Sequence, residues 1–102
     1  MANLLTAATA TGAGSTMPRA AGQSSILGYG ITSAGAGAAT VAIEVSNDGT
    51  NWKTSGTLTL TLATTVTTDT NTDTHLIDAA WAYVRANVTA ISGTNAAVTV
   101  TI

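Results

Sequence analysis

Large apolar residues recur at every second position in four stretches of this chain. Val41, Ile43 and Val45 alternate with Thr40, Ala42, Glu44 and Ser46, and Leu58, Leu60 and Leu62 alternate with Thr57, Thr59 and Thr61. Further on, Val84, Ala86 and Val88 alternate with Tyr83, Arg85, Asn87 and Thr89, and Val98, Val100 and Ile102 alternate with Thr99 and Thr101. A period of two gives a strand one oily and one polar face, whereas no stretch repeats large apolar residues at the helical spacing of three and four. The pattern predicts strands throughout.

The punctuation agrees. Asn47-Asp48-Gly49-Thr50-Asn51 lies between the first two strands and holds residues that tolerate positive φ, which predicts a hairpin. Ser92-Gly93-Thr94-Asn95 lies between the last two and reads the same way. Ser24 to Ser33 reads as a further strand interrupted by Gly28 and Gly30, and His75-Leu76-Ile77-Asp78 as a short one. Residues 64–74 are Thr, Asp and Asn apart from Val66, a loop with room for a short edge strand. Six to eight short strands at close spacing predict an all-β fold, a compact antiparallel β-sandwich of jelly-roll or immunoglobulin-like type over residues 24–102. Val41, Ile43, Val45, Leu58, Leu60, Leu62, Val84, Val88, Val98 and Val100 are its expected core. Residues 1–23 hold Ala, Thr, Gly, the single Pro (Pro18) and Arg19, with Leu4 and Leu5 near the start, and two readings stand open for them. One is a loose terminus; the other is an extended arm anchored on a neighbouring subunit by Leu4, Leu5 and Met17.

Composition narrows the function. A chain of 102 residues forms one domain and buries about two thirds of its extended surface. It has 22 Thr and 20 Ala, no Cys and no Phe, and charged residues are only 8 % of it, with a net charge of −2. Without Cys there is no disulfide framework, thiolate nucleophile or Cys-based metal site. Three basic residues do not make a phosphate-tracking patch, so nucleic acid is not an expected partner. No apolar run reaches the length of a membrane span, and no basic residue precedes Leu4-Leu5 as a secretory signal requires. So little charge favours a surface covered by partners.

Candidate chemistry is sparse. His75, between Asp73 and Asp78 and among many hydroxyls, has no nucleophile-elbow motif to work with and reads as an ordinary, partly exposed side chain. Asp69, Asn71 and Asp73 alternate like the start of a calcium loop, but Thr74 and Ala80 stand where Gly and Glu are needed. Glu44 has no second acid placed to work with it in glycoside hydrolysis. The Gly12, Gly28 and Gly35 pairs complete no dinucleotide fingerprint and read as bends and flexible links. Asn87-Val88-Thr89 matches a glycosylation sequon, but mid-strand. Trp52 and Trp81 suit packing at the ends of a core better than a sugar platform. No enzyme activity, cofactor or metal is expected.

Two blocks carry a resemblance. The run from Glu44 to Trp52 (Glu-Val-Ser-Asn-Asp-Gly-Thr-Asn-Trp) resembles a hairpin of small β-sandwich virion proteins encoded by tailed bacteriophages. Residues 81–94 with Val98-Thr99-Val100 resemble the closing hairpin of the same group, so the likeness spans roughly residues 40–102. It implies a virion structural component: a capsid decoration or cement protein on the outer head shell, with the major capsid protein and further copies of itself as partners. A homotrimer is the first expectation and a dimer the second. Tail, neck and head-fibre components are alternatives. The Ser-Asn-Asp-Gly-Thr-Asn-Trp run is also similar to one in discoidin-type carbohydrate- or lipid-binding domains, which are longer; a sugar-binding module is the runner-up.

Overall fold

A computed structural model describes residues 3–18, 24–65, 72–77 and 81–102, and every element in them is a strand. They are β1 (Asn3–Ala8), β2 (Gly12–Ala13), β3 (Met17–Pro18), β4 (Ser24–Ile31), β5 (Ala34–Ser46), β6 (Lys53–Leu62), β7 (Thr72–Ile77), β8 (Tyr83–Thr94) and β9 (Ala97–Thr101). One sheet has the order β1-β9-β4-β7; the other has β2-β8-β5-β6, with β3 also on the outer edge of β8. All strand pairs are antiparallel.

Taken as one interrupted strand, β2 and β3 leave eight strands in two four-stranded sheets. Successive strands cross between the sheets everywhere except from β5 to β6. This is the jelly-roll alternative of the predicted sandwich. The immunoglobulin alternative is excluded, because it keeps its last two strands side by side. Here β8 and β9 lie in opposite sheets.

The alternation builds the core. All ten residues expected inside are buried, joined by Ile26 and Ile77. Gly28 and Gly30 are not bends: both lie within the continuous strand β4, and both are buried. A Cβ at Gly28 would run into Leu58 Cδ1 and one at Gly30 into Leu62 Cδ2, so the two glycines are the hollows that receive leucines of the facing sheet.

The N-terminal expectation is corrected for residues 3–18. They are extended, but they lie along the body instead of reaching from it. β1 pairs with β9, β2 and β3 pair with β8, and Ser15 donates its N–H to the Leu4 carbonyl at 3.0 Å. Leu4 and Leu5 sit in the chain's own core, and Met17 packs against it half-buried. Apolar side chains close to an unfilled core gain more by burial there than by waiting for a neighbour. Val66, with its suggested edge strand, lies outside the described residues.

The Ser92–Asn95 turn is likewise not a hairpin. Asn95 takes a left-handed φ of 50°, and the chain passes to the other sheet. Ser33, between β4 and β5, holds this turn by donating its N–H to the Thr94 carbonyl at 2.9 Å and accepting from Asn95 Nδ2 at 3.1 Å. The Asn47–Asn51 turn is the hairpin expected. One Asp48 oxygen accepts the N–H groups of Thr50 and Asn51, both at 2.8 Å, and the other accepts Asn51 Nδ2 at 2.7 Å. These donors, Asn51 N–H foremost, with the Ser46 hydroxyl, hold the Asp48 carboxyl well below its ordinary pKa. Gly49 takes a φ of +76° beneath the Tyr83 ring.

Candidate interaction surface

A sheet with one face in water normally turns polar residues outward. The β2-β8-β5-β6 sheet does so. Across its outer face, Ala42 stands opposite Thr57 and Asn87, and Thr40 opposite Thr59 and Ala90. Glu44 faces Arg85 and accepts its Nε–H at 2.6 Å, with Asn87 Nδ2 at 3.5 Å from the second oxygen. The Arg85 guanidinium lies 4.1 Å above the Trp52 ring and takes up one of its faces. Trp81 is half-buried against the core.

The β1-β9-β4-β7 sheet is different. The large hydrophobic residues exposed among the described ones are Leu27 (39 %), Ile31 (41 %) and Leu76 (51 %), and all three are on its outer face. Leu27, the half-buried Tyr29 and Ile31 run along the inner strand β4, and Leu76 lies on β7 beside Ser25. Thr99 and Ala97 of β9 adjoin Tyr29 and Ile31. Between β4, β9 and β1 is a hollow of 130 Å³, lined by Ala7, Tyr29, Gly30, Ile31, Ala97 and Thr99. Its β1 wall is an irregularity in the pairing, where Ala7 adopts a left-handed φ of 47° and donates its N–H to Thr99 Oγ1 at 3.1 Å. No charged side chain among the described residues lies on this face. Four strands about 4.8 Å apart and five to eight residues long make it roughly 400 Å².

The sequence carries a signal for this face beyond strict alternation. Ile26-Leu27 and Leu76-Ile77 are adjacent apolar pairs, and in a strand one member of each pair must point outward.

The other candidates are placed as follows. His75 is half-buried at the edge where β7 meets β6 of the other sheet. Its Nε2 is 2.9 Å from Ser55 Oγ, and its ring fills the space that a Cβ on Gly56 would need. Asp73 does not complete a triad with them: its two oxygens accept the backbone N–H groups of Thr59 at 2.8 Å and Thr74 at 2.9 Å. That arrangement caps a free edge of β6 and ties the two sheets together. Asp69, Asn71 and Asp78 lie outside the described residues. The described residues contain no group of three or more acidic, His or Cys side chains placed to hold a metal ion.

The chain matches no protein family, no curated protein and no solved structure.

Proposed function

We propose that this protein is a non-catalytic structural component of a bacteriophage virion. In this reading it is a decoration or cement protein on the outer head shell that bridges major capsid subunits. The observation that carries the reading is the outer face of the β1-β9-β4-β7 sheet, which exposes Leu27, Ile31 and Leu76 and, among the described residues, no charged side chain. Such a face docks on another protein with no ion to desolvate. Its roughly 400 Å² is about half of what one partner contributes to a standard stable interface. One copy therefore binds weakly, and function rests on many copies over a repeating shell, with a homotrimer at local threefold positions as the first assembly expected and a dimer as the second. The jelly roll recurs in viral capsid proteins and supports the same reading by analogy alone.

Tracing the chain in an intact particle tests this. Density on the head shell, with Leu27 and Leu76 against capsid subunits, supports it. Density at the neck, tail or a head fibre overturns the cement role and keeps the virion role, and absence from purified particles overturns both. The jelly roll also occurs in lectins, so sugar binding is the second reading. The guanidinium over Trp52 counts against an open stacking platform there. Retention on a polysaccharide column that Trp52→Ala abolishes would favour it.

A further inference from the structure

The second feature built for a partner is an edge. β8 has 12 residues and pairs with β5 along most of its length, but its other edge is covered only in part. The chain's own N-terminal segment lies there: Met17 and Pro18 pair with Val84 and Tyr83, and Gly12 and Ala13 pair with Val88 and Asn87. Gly14 donates its N–H to the Ala86 carbonyl at 2.8 Å. Beyond Gly12 the segment turns away, and among the described residues no strand pairs with 89–93 on that side.

The ladder fixes which groups are left over. In antiparallel pairing, alternate residues turn their N–H and C=O to one neighbour and then to the other. Thr59 sends its N–H away from β5 to Asp73, so Thr40, opposite it, turns its peptide groups toward β8 and its partner Ala90. The next residue, Ile91, therefore points its N–H and C=O outward. They open onto a cleft of 400 Å³ lined by Thr9, Ile91, Ser92, Gly93, Asn95 and Ala96, none of them charged.

We infer that this cleft receives an extended, uncharged segment of a partner protein, which adds to β8 as a strand and continues the line that β2 and β3 begin. An unpaired donor and acceptor on a strand edge are met together by an extended backbone. The walls are small and neutral, so a chain rich in Thr, Ala or Val fits and a charged one does not. The inference rests on the reading of this chain as a partner-binding structural protein. It adds a main-chain hook to the apolar face described above.

The test uses the full chain and the peptide acetyl-Thr-Val-Thr-Val-Thr-amide, with hydrogen exchange followed by NMR at the Ile91 amide. At a peptide concentration ten times its Kd, exchange at Ile91 slows about tenfold. The same peptide N-methylated at every residue, which offers no N–H on either edge, leaves it unchanged. Thr9→Arg, at an exposed wall of the cleft, weakens the protection with the melting temperature preserved. Unchanged exchange at Ile91 with millimolar peptide, or equal slowing by the N-methylated peptide, overturns the inference. Leu76→Ser separates the two proposals. Loss of shell binding in that variant, with no peptide effect at Ile91 in the parent, sinks the edge and keeps the face. Protection at Ile91 in a protein that binds no shell does the reverse to the capsid reading and keeps the edge.

Discussion

The two sheets are built from the same alternation and end with opposite outer faces. On the β2-β8-β5-β6 sheet, the outward positions are mostly Thr, Ala and Asn, with the Glu44–Arg85 pair stacked on Trp52. On the β1-β9-β4-β7 sheet, the outward positions include Leu27, Tyr29, Ile31 and Leu76, with no ion among the described residues. Exposed apolar residues scattered singly are ordinary, but three on one sheet face, one of them at the lip of a hollow, are not. Inner faces are set by the need to fill one core, so they look alike. Outer faces are set by what each must meet, and in the proposed reading the β1-β9-β4-β7 sheet is the one that docks on protein.

The contrast can be broken at several places, and the inner side gives the largest effect. Gly28→Val forces a branched side chain against Leu58. It is expected to lower stability by about 1–3 kcal/mol, and more if β4 cannot shift, as read from the urea midpoint. Ala38→Val, at an exposed position on β5, is the control and stays within about 0.5 kcal/mol. A smaller loss, about 1 kcal/mol, is expected for Glu44→Ala, which leaves Arg85 without its carboxylate; Arg85 is 26 % exposed, so water recovers part of the difference. Tryptophan emission should shift with it as the guanidinium leaves its place over Trp52.

A turn on the polar side offers a pH-dependent check. The Asp48 carboxyl is held below its ordinary pKa in the folded chain, so its contribution is complete above the unfolded value and fades as pH falls through the folded one. The gap in urea midpoint between the parent and Asp48→Asn should therefore be widest near neutral pH and begin to close below the ordinary carboxylate range. The smallest effect on stability belongs to the apolar face. Leu27→Ser with Leu76→Ser should change the unfolding free energy by no more than about 0.5 kcal/mol for each site, yet abolish binding to capsid shells. A large loss of stability in this double variant would mean that the face packs within the chain and is no docking surface.

Much of the fold was legible because strand alternation and turn chemistry are local. Val41 to Val45 and Leu58 to Leu62 declare their inward faces by spacing alone, and Asp48 closes its own turn with donors within three residues, so that hairpin needs no outside help. The Ser92–Asn95 turn looked the same in sequence and is not the same. Its decisive bonds run to Ser33, about sixty residues away, and the chain that leaves it joins the other sheet. A turn signal says where a chain reverses and is silent on which strand it then meets. Leu4 and Leu5 show the same limit, since nothing local tells a short apolar pair whether it fills its own core or a neighbour's.

By itself, then, the sequence determined an all-β sandwich, ten of its core positions, one hairpin and an almost uncharged surface, because each follows from period, propensity or a bond between near neighbours. Only the tertiary structure decided that β8 and β9 part company, that Gly28 and Gly30 receive Leu58 and Leu62, and that Leu27, Ile31 and Leu76 share one face. These depend on which strands lie side by side and which sheets face each other. That choice is made by the packing of the whole core, where residues fifty or seventy positions apart compete for the same space.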